Sequence, residues 1–106
     1  MAQQYDINDP YDLDIMRAHY DNYSEEDWQA FIDFTQLPEN KRVFTFEDRG
    51  CLMRMAKKAG QYHRPADKDI RWGLGLADKI ELKKSYYIFI LIFFVTVNLY
   101  YLFSVP

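Results

Sequence analysis

Up to residue 84 the chain sets apolar residues three and four positions apart among charged ones; from Ser85 onward the charges stop. The early spacing is that of helices with one buried face. Asp9 followed by Pro10, with acidic residues in the opening turn, starts a helix near residues 10–22 whose stripe is Leu13, Met16, Tyr20 and Tyr23. Ser24 with Asp27, an aspartate version of the capping box, starts a second helix near 24–36 that buries Trp28, Phe31, Ile32 and Thr35 and is stopped by Pro38. Thr45 with Asp48 repeats the device for a third helix near 45–59, with Leu52, Met55, Ala56 and Ala59 inward, Lys57 and Lys58 in the last turn, and Gly60 expected just past the end.

The closing segment follows another rule. Residues 85–106 carry no charge, and 13 of the 22 are Leu, Ile, Val or Phe. As a helix they extend about 33 Å, enough for a hydrocarbon layer of about 30 Å. Tyr86 and Tyr87 stand at one end and Tyr100 and Tyr101 near the other, where amphipathic rings favour the headgroup level. A buried helix of a soluble bundle would show a polar stripe, whereas here every face is apolar. Asp67 caps a fourth, basic helix over 66–84 carrying Ile70, Leu74, Ala77 and Leu82, and no proline interrupts residues 66–105, so this helix is expected to continue into the membrane segment. Gly73 and Gly75 weaken it by roughly 1 kcal/mol each, or allow close approach of a lipid or a neighbouring backbone. The fold class is therefore all-α: a short helical domain over 1–65, a basic juxtamembrane helix over 66–84 and one transmembrane helix over 85–106.

Charge divides the polar part in two. Residues 1–48 hold 12 acidic and 3 basic side chains, whereas residues 49–84 hold 4 acidic and 10 basic. The basic half lies beside the membrane segment, where lysines and arginines meet anionic headgroups at roughly 1 kcal/mol each. Arg71, Lys79, Lys83 and Lys84 are the expected headgroup contacts, with an acidic lipid such as cardiolipin as ligand. By the positive-inside tendency this half faces the matrix or the cytoplasm, and the opening "MAQQYDINDPYDLD" reads as neither secretory signal nor presequence. The acidic half either folds against the basic half or reaches outward to a basic partner. Leu, Ile, Val and Phe number only 16 among the first 84 residues, which favours the second in part: Trp28, Phe31, Phe34, Phe44 and Phe46 are expected to find burial on another subunit.

Candidate chemistry adds little. Cys51 is the single cysteine, excluding an internal disulfide and a cysteine metal cluster. His19 and His63 lack metal-ligand spacing, the Gly-x-Gly of "WGLGL" follows no strand, and the basic helices are joined by a segment too long for a helix-turn-helix, so metal, nucleotide and nucleic-acid binding are not expected. No nucleophile, base and orienting group assemble, and an enzyme is not expected. In the span, Leu91, Phe94, Asn98 and Tyr101 share one face as the candidate seam for a partner helix; the Asn98 amide either bonds that partner, worth roughly 1 kcal/mol, or reaches toward the far interface. Without Gly, Ala or a small-xxx-small pattern, tight self-dimerisation through the span is not expected.

In plan the chain resembles the small single-span accessory subunits of mitochondrial respiratory complexes: a short helical domain on one side, a bulky aromatic span and no cleavable presequence. The resemblance implies assembly and stabilisation of a complex of the inner membrane, with no cofactor of its own. The alternative is a tail-anchored adaptor that recruits a soluble partner to the endoplasmic reticulum or outer mitochondrial membrane.

Overall fold

A computed structural model describes residues 5–104, and within them the chain is entirely helical apart from turns. Helices α1 (Pro10–Asp21), α2 (Glu25–Thr35), α3 (Phe46–Gly60) and α4 (Asp67–Ser104) follow in order, with a single 3-10 turn at Pro38–Asn40 between α2 and α3. The caps of the first three helices are formed by the residues that announce them, whereas Asp67, expected to cap the fourth, is its first helical residue and holds Arg17 instead. Asp9 accepts from the Tyr11 amide, while Ser24 with Asp27 and Thr45 with Asp48 each close both halves of a capping box. The last two residues of the expected span, 105–106, lie outside the described residues.

α4 is the organising element. Its 38 residues form one unbroken helix, about 57 Å long, and account for most of the 64 Å long axis. The first half of α4 closes the bundle: Ile70, Leu74, Leu76, Ala77 and Ile80 are buried against α1, α2 and α3, whereas Leu82, expected inward, is exposed. Gly73 is the contact point with α3, since a Cβ there would lie 2.8 Å from Met55 Cγ. The glycine thus serves a neighbouring side chain, with neither lipid nor backbone at the contact. Gly75, two residues on, faces open space.

Gly60 also departs from expectation. It is the last residue of α3, with Gln61 as cap, and the left-handed conformation falls instead on Tyr62 (φ 56°). The reason is lateral: a Cβ on Gly60 would stand 2.4 Å from Glu25 Oε2, so the glycine makes room for the start of α2.

The core corrects the largest expectation. Trp28, Phe31, Phe34 and Phe44, read as partner contacts, are buried within the chain itself, and of those five aromatics only Phe46 is exposed, at 80 %. Trp28 stacks on Tyr20 at 5.9 Å and meets Tyr23 and Phe31 at 5.0 and 5.6 Å, a cluster of rings each worth about 0.5–1.5 kcal/mol per pair beyond burial. The Trp28 Nε1–H has no hydrogen-bond partner among the described residues, at a cost of about 1–3 kcal/mol that these contacts offset. Tyrosine, tryptophan, methionine and alanine supply the core volume that a count of Leu, Ile, Val and Phe leaves out.

The two charged halves fold on each other. Arg17 grips Asp67 through two bonds of 3.1 and 3.0 Å, and Asp21 pairs with Arg64 across 43 residues. Arg54 and Asp69 fasten α3 to α4 in the same two-pronged manner, both at 3.1 Å. Half-exposed pairs of this kind fix alignment more than they add stability.

Candidate membrane interface

Below Lys84 the bundle ends and α4 continues alone. It is long and apolar enough to cross a membrane: its most apolar stretch has mean hydropathy 2.0 and none of it is buried. Large apolar side chains are exposed from Tyr86 through Phe103 without an interruption longer than one residue. Tyr86 and Tyr87 open this surface, and Tyr100 and Tyr101, packed edge to face at 6.4 Å, lie near its end.

The two polar side chains inside the span, Thr96 and Asn98, each donate one hydrogen bond to their own helix. Thr96 Oγ1 donates to the Ile92 carbonyl at 2.8 Å, and Asn98 Nδ2 donates to the Phe94 carbonyl at 2.9 Å. In a medium without water such back-bonding lowers the cost of a hydroxyl or amide. Leu91, Phe94, Asn98 and Tyr101 do share a face, and one of the two Asn98 amide N–H groups bonds Phe94 within that face, while the second N–H and Oδ1 are left to a neighbour.

Above the span, the four expected headgroup cations divide. Arg71 is exposed in the second turn of α4, about 21 Å or nearly four turns from the span. Lys79, Lys83 and Lys84 sit in its last charged turns, and each also touches the bundle: Lys79 Nζ stands 5.0 Å from the Phe44 ring, and Lys84 Nζ is 5.5 and 5.3 Å from Phe31 and Phe34. Lys83 Nζ donates to Asn40 Oδ1 at 3.0 Å and stands 5.9 Å from the Tyr87 ring. Cation–π contacts of this type are worth about 0.5–2 kcal/mol. Three of the aromatics expected to meet another subunit, Phe31, Phe34 and Phe44, therefore meet these lysines.

Asn40 is the residue that sequence reasoning misses. Fully buried, its amide donates to the Phe34 carbonyl at 2.8 Å while its oxygen takes the Lys83 ammonium. It pins the turn after α2 to the end of the bundle from which the apolar segment leaves. A polar residue two positions after a helix-stopping proline is an ordinary turn signal, and nothing in the pattern marks it as buried.

Away from the membrane segment, a cleft of about 880 Å³ opens between the α1–α2 turn and the α3–α4 loop, lined by Asp21, Glu25, Glu26, Tyr62, His63 and Arg64 among others. Two of its charges, Asp21 and Arg64, are paired with each other. Arg64 holds Asp21 below the ordinary carboxylate value through their hydrogen bond. Tyr20 donates to the Met55 carbonyl at 3.1 Å, and burial pushes its hydroxyl up to about 12. Cys51 is fully buried in the α3–α4 contact, and desolvation pushes its thiol up to about 12 as well, the opposite of an activated nucleophile. His19 shares a 3.0 Å hydrogen bond with the Tyr5 hydroxyl. Among the described residues no group of three or more His, Cys, Asp and Glu is placed to hold a metal ion.

The arrangement defines a class: a four-helix bundle whose last helix continues as a single apolar segment capable of crossing a bilayer. No protein-family model, curated protein or solved structure matches the chain.

Proposed function

We propose that this chain is a non-catalytic structural subunit of a multi-subunit membrane complex, of the kind found in the mitochondrial respiratory chain, acting in assembly and stability. The observation that carries the reading is the span itself. It is bulky and apolar around its whole circumference, with its aromatic rings gathered on one broad side, and Thr96 and Asn98 each donate a hydrogen bond within the helix. Such a segment suits a groove beside larger helices, filled by van der Waals packing, with no conducting or catalytic group to offer. On this reading the bundle lies on the matrix side of the inner membrane, with Lys79, Lys83 and Lys84 at anionic headgroups, and chemistry belongs to other subunits.

A second reading, the tail-anchored adaptor, draws on a different observation. The bundle completes its own core and still exposes Phe46, Met53 and Tyr62, so a soluble partner has apolar surface to meet. Extraction of the native membrane in mild detergent followed by native electrophoresis separates the two. Migration only within one large stoichiometric assembly supports the subunit; a free or loosely associated pool overturns it in favour of the adaptor.

A further inference from the structure

We propose that the turn joining α2 to α3, Leu37–Arg42, is a second membrane-contact element that seats the bundle on an anionic bilayer surface beside α4. The proposal rests on the reading that the apolar half of α4 crosses that bilayer. Three contacts fix the height of the turn. Lys84 stands against Phe34 just before it, Lys83 reaches Asn40 within it, and Lys79 stands against Phe44 just after it. The turn therefore rides level with residues 79–84 of α4, the last charged turns before the span. Lys79 and Lys83 are about 6 Å apart along the axis, close to the depth of one headgroup layer.

The turn carries the right chemistry for that depth. Apart from Arg17, tied to Asp67, the only basic side chains in the acidic half are Lys41 and Arg42, and both are exposed. Leu37 leaves 42 % of its surface open immediately before Pro38. Across Leu37–Arg42 and Lys79–Lys84, five cations stand against two carboxylates, Glu39 and Glu81, and Glu81 already accepts from the Tyr23 hydroxyl at 3.5 Å. An apolar tip flanked by cations complements an anionic phospholipid surface, and the patch is continuous with the point where α4 enters the bilayer. α4 alone leaves the bundle free to tilt about one axis; a second contact removes that freedom and sets which faces of the bundle a neighbouring subunit can reach.

The test uses the full chain with Cys51→Ala and single reporter cysteines, Leu37→Cys, Tyr62→Cys and Phe94→Cys, each carrying an environment-sensitive fluorophore. The chain is reconstituted in phosphatidylcholine vesicles with and without phosphatidylserine, and with nitroxide quenchers on the headgroup or mid-chain. The label at 37 should be quenched from the headgroup level when phosphatidylserine is present, the label at 94 from mid-chain, and the label at 62 from neither. Adding Lys41→Gln and Arg42→Gln should lower the ratio of seated to lifted bundle about 25-fold, roughly fivefold per basic side chain. Quenching at 94 with none at 37 overturns the seating and leaves the span intact, as does quenching at 37 that ignores both phosphatidylserine and the two substitutions. No quenching at 94 overturns the span and the seating together.

Discussion

Substituting each of the two glycines of α4 by alanine separates a packing role from an accident of composition. In a helix interior alanine is favoured over glycine by about 1 kcal/mol. At Gly75 nothing stands within 4 Å of the new methyl, so Gly75→Ala should gain about that amount in full. At Gly73 the methyl would arrive 2.8 Å from Met55 Cγ and 2.9 Å from Met55 Sδ, and Met55 is fully buried. Forcing a methyl into such a contact costs about 1–3 kcal/mol, which cancels or exceeds the helix gain. The two variants should therefore differ by about 1–3 kcal/mol with Gly75→Ala the more stable, a separation of roughly 4 °C or more in Tm for a bundle of this size. Thermal unfolding of the full chain in detergent micelles, followed by near-ultraviolet circular dichroism of the buried aromatic cluster, reads the difference. A double-mutant cycle with Met55→Ala localises it, since the Gly73→Ala penalty should shrink once the thioether is gone. Equal stability, or Gly73→Ala above Gly75→Ala, would refute the claim that α4 is held against α3 at this point.

Three further outcomes follow from the interface and the core. Cys51, Tyr20 and Tyr23 all ionise only near 12 in the folded chain, from ordinary values of 9.0 and 10.0, because burial disfavours their anions; stability should hold below about pH 9 and fall progressively toward pH 12, as alkaline titration of the circular dichroism signal would record. Asn98→Leu should improve insertion, since a leucine contributes roughly 0.3–0.6 kcal/mol where the amide costs; an unchanged yield of any assembled complex on native gels would show that the back-bond to Phe94 is the use the amide has, and a reduced yield that its second N–H or its oxygen contacts another helix. Lys83→Glu with Lys84→Glu should impair or invert membrane placement and free the turn at Asn40, and protease protection that reports the original topology would count against the charge argument.

What the sequence makes legible is what it encodes locally. Asp9, Ser24 with Asp27, and Thr45 with Asp48 act over two or three residues, so helix starts can be read without knowing the fold. The apolar run after Ser85 needs only its length. The fate of Phe31, Phe34 and Phe44 depends instead on α4, whose lysines lie far along the chain, and Trp28 is buried by the rings of Tyr20, Tyr23 and Phe31. Neither the cation–π contacts of Lys79 and Lys84 nor the notch at Gly73 has a signature in spacing. The same holds for Asn40, whose burial follows from Phe34 and Lys83 converging on it. The seam of Leu91, Phe94, Asn98 and Tyr101 was legible as a face, but the back-bond from Asn98 to Phe94 emerges only from side-chain geometry.

The measurement closest to the centre of this account is membrane fractionation of cells making the full chain, followed by an alkaline carbonate wash and immunoblotting of pellet and supernatant. Retention in the pellet is the predicted result, since the exposed apolar half of α4 should be dissolved in lipid. Release into the supernatant would mean that this surface is covered by protein and that no bilayer is crossed.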